Sequence, residues 1–66
     1  MTTLRKNITT DTVGVIKLAR ARGYKYELIA SYFVINQGRI ADVMKGRIGP
    51  DVPPANDLPA DFPAAA

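Results

Sequence analysis

The sequence predicts an all-α fold, with a three-helix domain followed by a disordered or extended tail, on three observations. Between residues 8 and 45, apolar side chains recur at the three- and four-residue spacing of helices that bury one face. Residues typical of helix starts and stops punctuate the same stretch. All five prolines lie between Pro50 and Pro63, so the earlier residues lack this helix breaker. We therefore expect a helical domain over residues 1–49 and an acidic, Pro/Ala-rich tail over residues 50–66.

The first predicted helix begins at Thr10, with Thr9 as its N-cap. Ile8 and Val13 have the spacing of a hydrophobic staple across this start. Gly23 is a typical stop, because helices commonly end at a glycine in the left-handed conformation.

This first helix carries more apolar surface than one small core can cover. Its apolar side chains form two stripes, one with Val13, Ile16 and Ala19 and a second with Val15 and Leu18. The second stripe fits either a dimer contact or ordinary exposed aliphatic side chains. Gly14 inside the helix costs up to about 1 kcal/mol relative to alanine. Close approach of another helix would account for it, and so would drift.

The second and third helices are predicted over residues 26–33 and 37–45. The second lacks a favoured N-cap, because Lys25 stands where Ser, Thr, Asp or Asn is preferred. The third has a good cap in Asn36 and a good stop in Gly46. It is too short to be helical alone, so packing on the other helices must stabilise it.

Composition excludes several classes of protein. The chain has no cysteine and no histidine, which excludes disulfides and the usual zinc sites. We expect no cofactor and no enzyme, because one serine and a few scattered acids give no convincing catalytic group. No apolar run approaches the roughly 20 residues of a membrane span, and the N-terminus has no signal-peptide segment. A cytoplasmic location without a membrane partner is therefore expected.

Charge is distributed unevenly along the chain. Residues 1–49 hold all nine Lys and Arg and three acids, a net of +6, whereas residues 50–66 hold three Asp and no base, a net of −3. A small, strongly basic unit favours a polyanionic partner. Many basic proteins bind no nucleic acid, so charge alone does not decide the function.

The stretch from Tyr26 to Lys45 reads YELIASYFVINQGRIADVMK. Its inward-facing positions are Ile29, Ala30, Phe33, Ile35, Ile40 and Val43, and Gln37-Gly38-Arg39 opens the last segment. With these residues the stretch resembles the helix-turn-helix of bacterial and phage DNA-binding regulators. Extended back to Ile8, the resemblance covers the usual three-helix unit.

One position departs from that family. The turn residue after Phe33 is usually glycine, because the chain there tends to need a positive φ. This sequence has Val34, and a β-branched side chain is poorly suited to that conformation. Either the turn is built differently, or strain of order 1 kcal/mol or more is tolerated.

The resemblance implies that the third helix enters the major groove of double-stranded DNA, leading with its N-terminal residues. Gln37, Gly38 and Arg39 then lie closest to the bases. Gln pairs in bidentate fashion with adenine and Arg with guanine, while Gly38 lets the backbone approach. Asp42 has two interpretations: an ion pair with Arg39, which we favour, or acceptance from a cytosine amino group.

Phosphate contacts are expected from a second set of residues: Arg5, Lys6, Tyr26, Asn36, Lys45 and Arg47. The first two precede the first helix and form an arm, and the last two follow the third helix or end it. Tyr26 is equally well explained as a half-buried aromatic. Such contacts position a protein on DNA but carry no sequence information.

These expectations describe a sequence-specific transcriptional regulator, of the repressor kind, acting as a homodimer on an inverted repeat. The candidate dimer faces are the Val15 and Leu18 stripe, the segment with Leu4, and the tail with Val52, Leu58 and Phe62. The alternative is a protein-interaction module of the same fold that docks on another regulator or a polymerase subunit. Its acidic, proline-rich tail would suit a protein partner. A single-stranded RNA binder comes third, because it needs exposed aromatic side chains for stacking.

Overall fold

The computed structural model describes residues 8–63, and within this range it contains three α-helices and no strand. They are α1 (Thr10–Ala21), α2 (Tyr26–Phe33) and α3 (Gln37–Met44). The all-α fold and the places of the helices predicted from the sequence are confirmed. None of the three is both long and apolar enough to cross a membrane.

Side-chain caps fix where two of the helices begin. The Thr9 hydroxyl accepts a hydrogen bond from the Thr12 amide at 3.1 Å, and the Asn36 side-chain oxygen accepts one from the Gly38 amide at 2.7 Å. Lys25, before α2, makes no side-chain cap bond. The predicted caps of α1 and α3 are therefore confirmed, and so is the predicted lack of a side-chain cap at the start of α2.

All three helices end in the same backbone motif, in which a left-handed residue is followed by an amide that bonds five residues back. The left-handed residues are Gly23 (φ 93°), Val34 (φ 58°) and Gly46 (φ 83°). The amides that follow are those of Tyr24, donating to Ala19 O at 3.0 Å, Ile35, donating to Ala30 O at 3.0 Å, and Arg47, donating to Asp42 O at 2.8 Å. Each helix end thus turns the chain back along its own last turn.

Val34 is the exception among these three positions, because only glycine adopts a positive φ without steric cost. Its side chain is 82% exposed, so burial of the isopropyl group does not compensate for the conformation. Of the two possibilities left by the sequence, the turn has the ordinary left-handed geometry and the valine is strained. Such strain costs of order 1–3 kcal/mol.

The core lies where the three helices meet. Its fully buried large side chains come from every helix: Ile16 from α1, Ile29 from α2, and Ile40 and Val43 from α3. Full burial of one such side chain contributes roughly 1.5–3 kcal/mol. α3 packs on both other helices, which gives this short helix the support that its length requires.

Residues 50–63 form no helix; they contain turns at residues 50–51 and 60–61, and their first half lies against α1. The Ala55 amide donates to the Gly14 carbonyl at 2.9 Å. A Cβ atom built on Gly14 would lie 3.2 Å from Pro53 O and 3.3 Å from Ala55 N. The close approach at Gly14 therefore comes from the tail and not from another helix.

Lys17 holds the start of the same segment. Its ammonium group donates to the carbonyl of Gly49 at 2.9 Å and to the carbonyl of Val52. Gly49 itself is packed tightly, since a Cβ there would lie 3.0 Å from Val13 Cγ1. The ammonium group of a surface lysine is normally hydrated, whereas that of Lys17 donates to two main-chain oxygens.

The far end of the segment packs between aromatic side chains. The Phe62 ring lies 5.0 Å from the Tyr24 ring and 4.5 Å from the Tyr32 ring, between centroids. The Tyr24 hydroxyl donates to Pro63 O at 2.6 Å, and the Tyr32 hydroxyl donates to the Asp61 carboxylate at 2.6 Å. Ring packing and two hydrogen bonds therefore fix this end.

The packed tail changes the choice of dimer faces. Val15 is buried, and the tail's Val52, Leu58 and Phe62 pack against the core cluster. Val15 and the apolar residues of the tail are thus used within one chain, whereas Leu18 of the first predicted dimer face stays half-buried. The segment with Leu4 lies outside the described residues.

Val34→Gly should raise the thermal unfolding midpoint. Removing left-handed strain of order 1–3 kcal/mol outweighs the roughly 0.5–1 kcal/mol that glycine costs through unfolded-state entropy. A net gain of about 1 kcal/mol corresponds to about 4–8 °C in a domain of this size. Circular dichroism melting measures it.

Gly46→Ala is the matched reverse change, since it places a side chain at the equivalent left-handed position of α3. It should lower the midpoint, because the only atom near the added Cβ is Pro50 Cβ at 3.9 Å and the cost is conformational. A lower midpoint for Val34→Gly would contradict the left-handed turn.

The pKa of the Tyr32 phenol should lie above its ordinary value of 10.0, because the hydroxyl donates to Asp61, because it is partly desolvated, and because the carboxylate charge opposes ionisation. The folded-state pKa is raised, so the stability from this contact is complete below pH 10 and is lost as pH rises through the folded value. NMR titration of the Tyr32 ring measures the midpoint. Asp61→Asn should return it towards the ordinary value.

The matched control is Asp57→Asn, which removes another exposed carboxylate of the tail. It should leave the Tyr32 midpoint where it is in the wild type. Equal midpoints in the wild type and in Asp61→Asn would contradict the contact between the tail and α2.

Candidate nucleic-acid interface

One face of α3 is buried and the opposite face is open to solvent. Ile40 and Val43 point into the core, whereas Gln37, Gly38 and Arg39 are exposed. The exposed side is the one on which the sequence predicted base-reading residues. The structure thus leaves these three positions accessible to a partner.

Gly38 has a local structural reason as well as a proposed functional one. A Cβ atom built there would lie 3.1 Å from the Asn36 side-chain oxygen, the atom that caps the helix. A side chain at this position would therefore press on the cap. From the sequence, Gly38 was expected to let the backbone approach DNA, with simple tolerance of a small residue near the helix start as the alternative.

Asp42 is paired with two arginines. Its Oδ2 lies 3.1 Å from Arg39 Nη1, and its Oδ1 lies 3.4 Å from Arg47 Nη1. The side chains of Arg39 and Arg47 are 50% and 69% exposed, while that of Asp42 is 23% exposed. The ion pair with Arg39 that the sequence favoured is present, and the pair with Arg47 is an addition that the sequence reasoning missed.

The end of α3 explains how Arg47 reaches Asp42. Left-handed Gly46 donates to Val43 O at 3.2 Å, and the Arg47 amide donates to Asp42 O at 2.8 Å. This motif folds residue 47 back over the last turn of the helix. The glycine stop seen in the sequence was the signal that could have placed Arg47 beside Asp42.

Four of the predicted residues meet at one recess of about 350 Å³, which Asn36, Gly38, Arg39 and Asp42 line. Lys45 is exposed at the C-cap of α3. Together, Arg39, Lys45 and Arg47 give α3 and its C-terminal end three positive charges, and Asp42 adds one negative charge. The surface is polar and carries a net positive charge.

The other predicted phosphate contacts are placed differently. Tyr26 is half-buried at the start of α2, and the Arg20 guanidinium lies 4.6 Å from its ring centroid. Its ring is therefore used in packing, and a phosphate contact through its hydroxyl stays a prediction. Arg5 and Lys6 lie outside the described residues.

Two further basic side chains, Arg20 and Lys17, bind main-chain oxygens of the domain. Arg20 donates to the Tyr24 carbonyl besides covering Tyr26, and Lys17 binds the carbonyls of the tail. The Lys17 contacts have no local sequence signal, because their partners lie 32 and 35 residues further along the chain.

The accessible face of α3, its cap and its two-arginine cluster are the features from which a function can be argued. Comparison with family models, with curated proteins and with solved structures finds no match for this chain. The functional argument therefore depends on the geometry and chemistry of these residues.

Proposed function

We propose that this chain binds double-stranded DNA in a sequence-specific manner, as a small helix-turn-helix transcriptional regulator. The observation that carries the proposal is the open, polar, net basic face of α3, which begins with Gln37 and Arg39. α2 and α3 are joined by only three residues, 34–36, as in the turn of that motif. In this proposal α3 enters the major groove.

The first turn of α3 supplies the base contacts. In this class of protein the N-terminal residues of the second helix of the motif contact the base edges. Gln37 offers both an amide donor and an acceptor to adenine, and Arg39 offers two parallel donors to guanine. Each bidentate pair contributes about 1–3 kcal/mol of discrimination. Gly38 between them leaves room for the backbone to approach.

Phosphate contacts come from both ends of the same helix. Asn36 precedes α3 and is exposed, while Lys45 and Arg47 lie at its end. The hydroxyl of Tyr26 at the start of α2, and Arg5 and Lys6 before α1, extend this set. The positive charge of the four basic residues in this set supplies affinity for any duplex, and it makes binding fall as salt rises.

One module of this size reads few base pairs, so we propose a homodimer on an inverted repeat. Half-sites about 34–36 Å apart place two copies on one side of the duplex. Because Val15 is buried and Phe62 packs against the core cluster, we expect the two copies to meet through another surface. Binding to an operator within a promoter would make the protein a repressor.

The rival function is a protein-interaction module of the same fold. Its face would be rich in aromatic side chains or leucine, whereas the exposed side of α3 is polar. The exposed large apolar side chains of the described chain are Val34 and Met44. The apolar residues of the tail pack against their own domain, which leaves less of it to offer to another protein. These features favour DNA over a protein partner.

Selection of bound duplexes from a random library, followed by a salt titration of the winner against random DNA, tests the proposal. We expect an inverted repeat, bound far more tightly than random sequence, with affinity falling as salt rises. Absence of binding at low salt would overturn the proposal and leave the protein-interaction module. Equal, salt-sensitive binding of every sequence would leave an architectural protein.

Arg39→Ala and Lys45→Ala separate the two kinds of contact. Arg39→Ala should reduce the ratio of specific to random affinity by roughly 5- to 150-fold, the equivalent of 1–3 kcal/mol. Lys45→Ala should weaken all duplexes alike and reduce the salt slope by about 1. An unchanged ratio for Arg39→Ala would show that this side chain reads no base.

Sedimentation of the free protein and of its complex tests the dimer. We expect the complex to sediment with the mass of two protein copies bound to one selected duplex. A monomer both free and on DNA would remove the homodimer while leaving DNA binding in place.

A further inference from the structure

We infer that Asp42 is a positioning residue, which holds the Arg39 guanidinium in the orientation that reads guanine and joins it to Arg47. The inference rests on the proposed function. In this arrangement Asp42 does not contact DNA itself. It affects the base specificity of α3 through Arg39.

Each carboxylate oxygen of Asp42 serves a different arginine. Oδ2 accepts from Arg39 Nη1 at 3.1 Å, and Oδ1 faces Arg47 Nη1 at 3.4 Å. An ionised carboxylate accepts at both oxygens, whereas an asparagine amide has only one acceptor oxygen. The arrangement therefore requires the carboxylate and not merely a side chain of that shape.

Arg47 is held at this place by the backbone as well. Its amide donates to the Asp42 carbonyl at 2.8 Å, in the helix-end motif that left-handed Gly46 permits. In that motif the corresponding side chains commonly make an apolar contact. Here the contact is an ion pair at the surface. Asp42 thus binds Arg47 through both its main chain and its side chain.

The same geometry leaves Arg39 able to read a base. A guanidinium has five N–H donors in a rigid fork, and the bond to Asp42 uses the Nη1 side. The remaining donors stay available for the two acceptors on the guanine edge. Holding the side chain beforehand removes part of the entropy that binding would otherwise cost.

The other interpretation of Asp42, acceptance from a cytosine amino group, fits the geometry less well. Both oxygens already face an arginine. A base contact would require one of these pairs to break, and it would release the arginine that should read the neighbouring base. Positioning uses the contacts as they stand.

Asp42→Asn tests the inference, with Asp57→Asn as the charge-matched control. Both remove one carboxylate and keep the side-chain size, and Asp57 is exposed on the tail. The readouts are the base preferences selected from a random library, the affinities for the selected and random duplexes, and the NMR order of the Arg39 guanidinium in the free protein. Thermal unfolding checks that each variant folds.

We expect Asp42→Asn to loosen the Arg39 guanidinium in the free protein. It should reduce the ratio of specific to random affinity by about three- to tenfold, the effect of freeing one immobilised side chain. The selected sequence should keep its preferred bases with weaker discrimination. Asp57→Asn should leave both the ratio and the guanidinium order unchanged.

Three outcomes would overturn the inference. An unchanged ratio in Asp42→Asn, with the wild type still specific, would remove the positioning role alone. A new base preferred at one position, with the guanine preference intact, would show that Asp42 reads a base directly. A wild type that selects no duplex would overturn the DNA-binding proposal, and this inference with it.

Discussion

Lys17, in the middle of α1, donates to the carbonyl oxygens of Gly49 and Val52, and through this contact the segment that follows α3 is bound to the first helix. Three helices this short bury little apolar surface by themselves, and a domain below about 70–80 residues rarely has a core of ample stability. The segment lies beside Val15, which is buried, while Leu18 of the same stripe is half-buried. Its apolar side chains Val52, Leu58 and Phe62 thereby add to the core of a chain that has no cysteine for a disulfide.

The helices were predictable because their signals are local. The cap residues Thr9 and Asn36 and the stop residues Gly23 and Gly46 act within one turn of the chain, and the structure has the helices where those residues place them. The course of the tail was not predictable, because the contacts that hold it join residues 29 or more positions apart. The proline content of the tail indicates only the absence of helix. The ring of Phe62 between two tyrosines follows from how the whole chain folds.

The candidate site divides in the same way. Helical spacing was enough to predict that Gln37 and Arg39 lie on the exposed side of α3 and that Asp42 reaches Arg39 one turn away. The second partner of Asp42 was out of reach, since it depends on the backbone path beyond the helix. Tyr26 is half-buried, which was one of its two predicted interpretations, but the contact of its ring with Arg20 of α1 was not predicted. What spacing along one helix determines was predictable, and what two elements create together was not.

The three helix ends show how one backbone device serves different purposes. Each turns the chain back through a left-handed residue, and the side chain that follows then lies over the last turn of the helix. After α1 and α2 that side chain is Tyr24 or Ile35, which packs in or against the core. After α3 it is Arg47, which meets a carboxylate at the surface. Apolar residues at this position direct the chain inward, and a charged residue leaves the helix end at the surface. The end of α3 therefore presents a charged side chain at the surface, because the residue that follows left-handed Gly46 is an arginine.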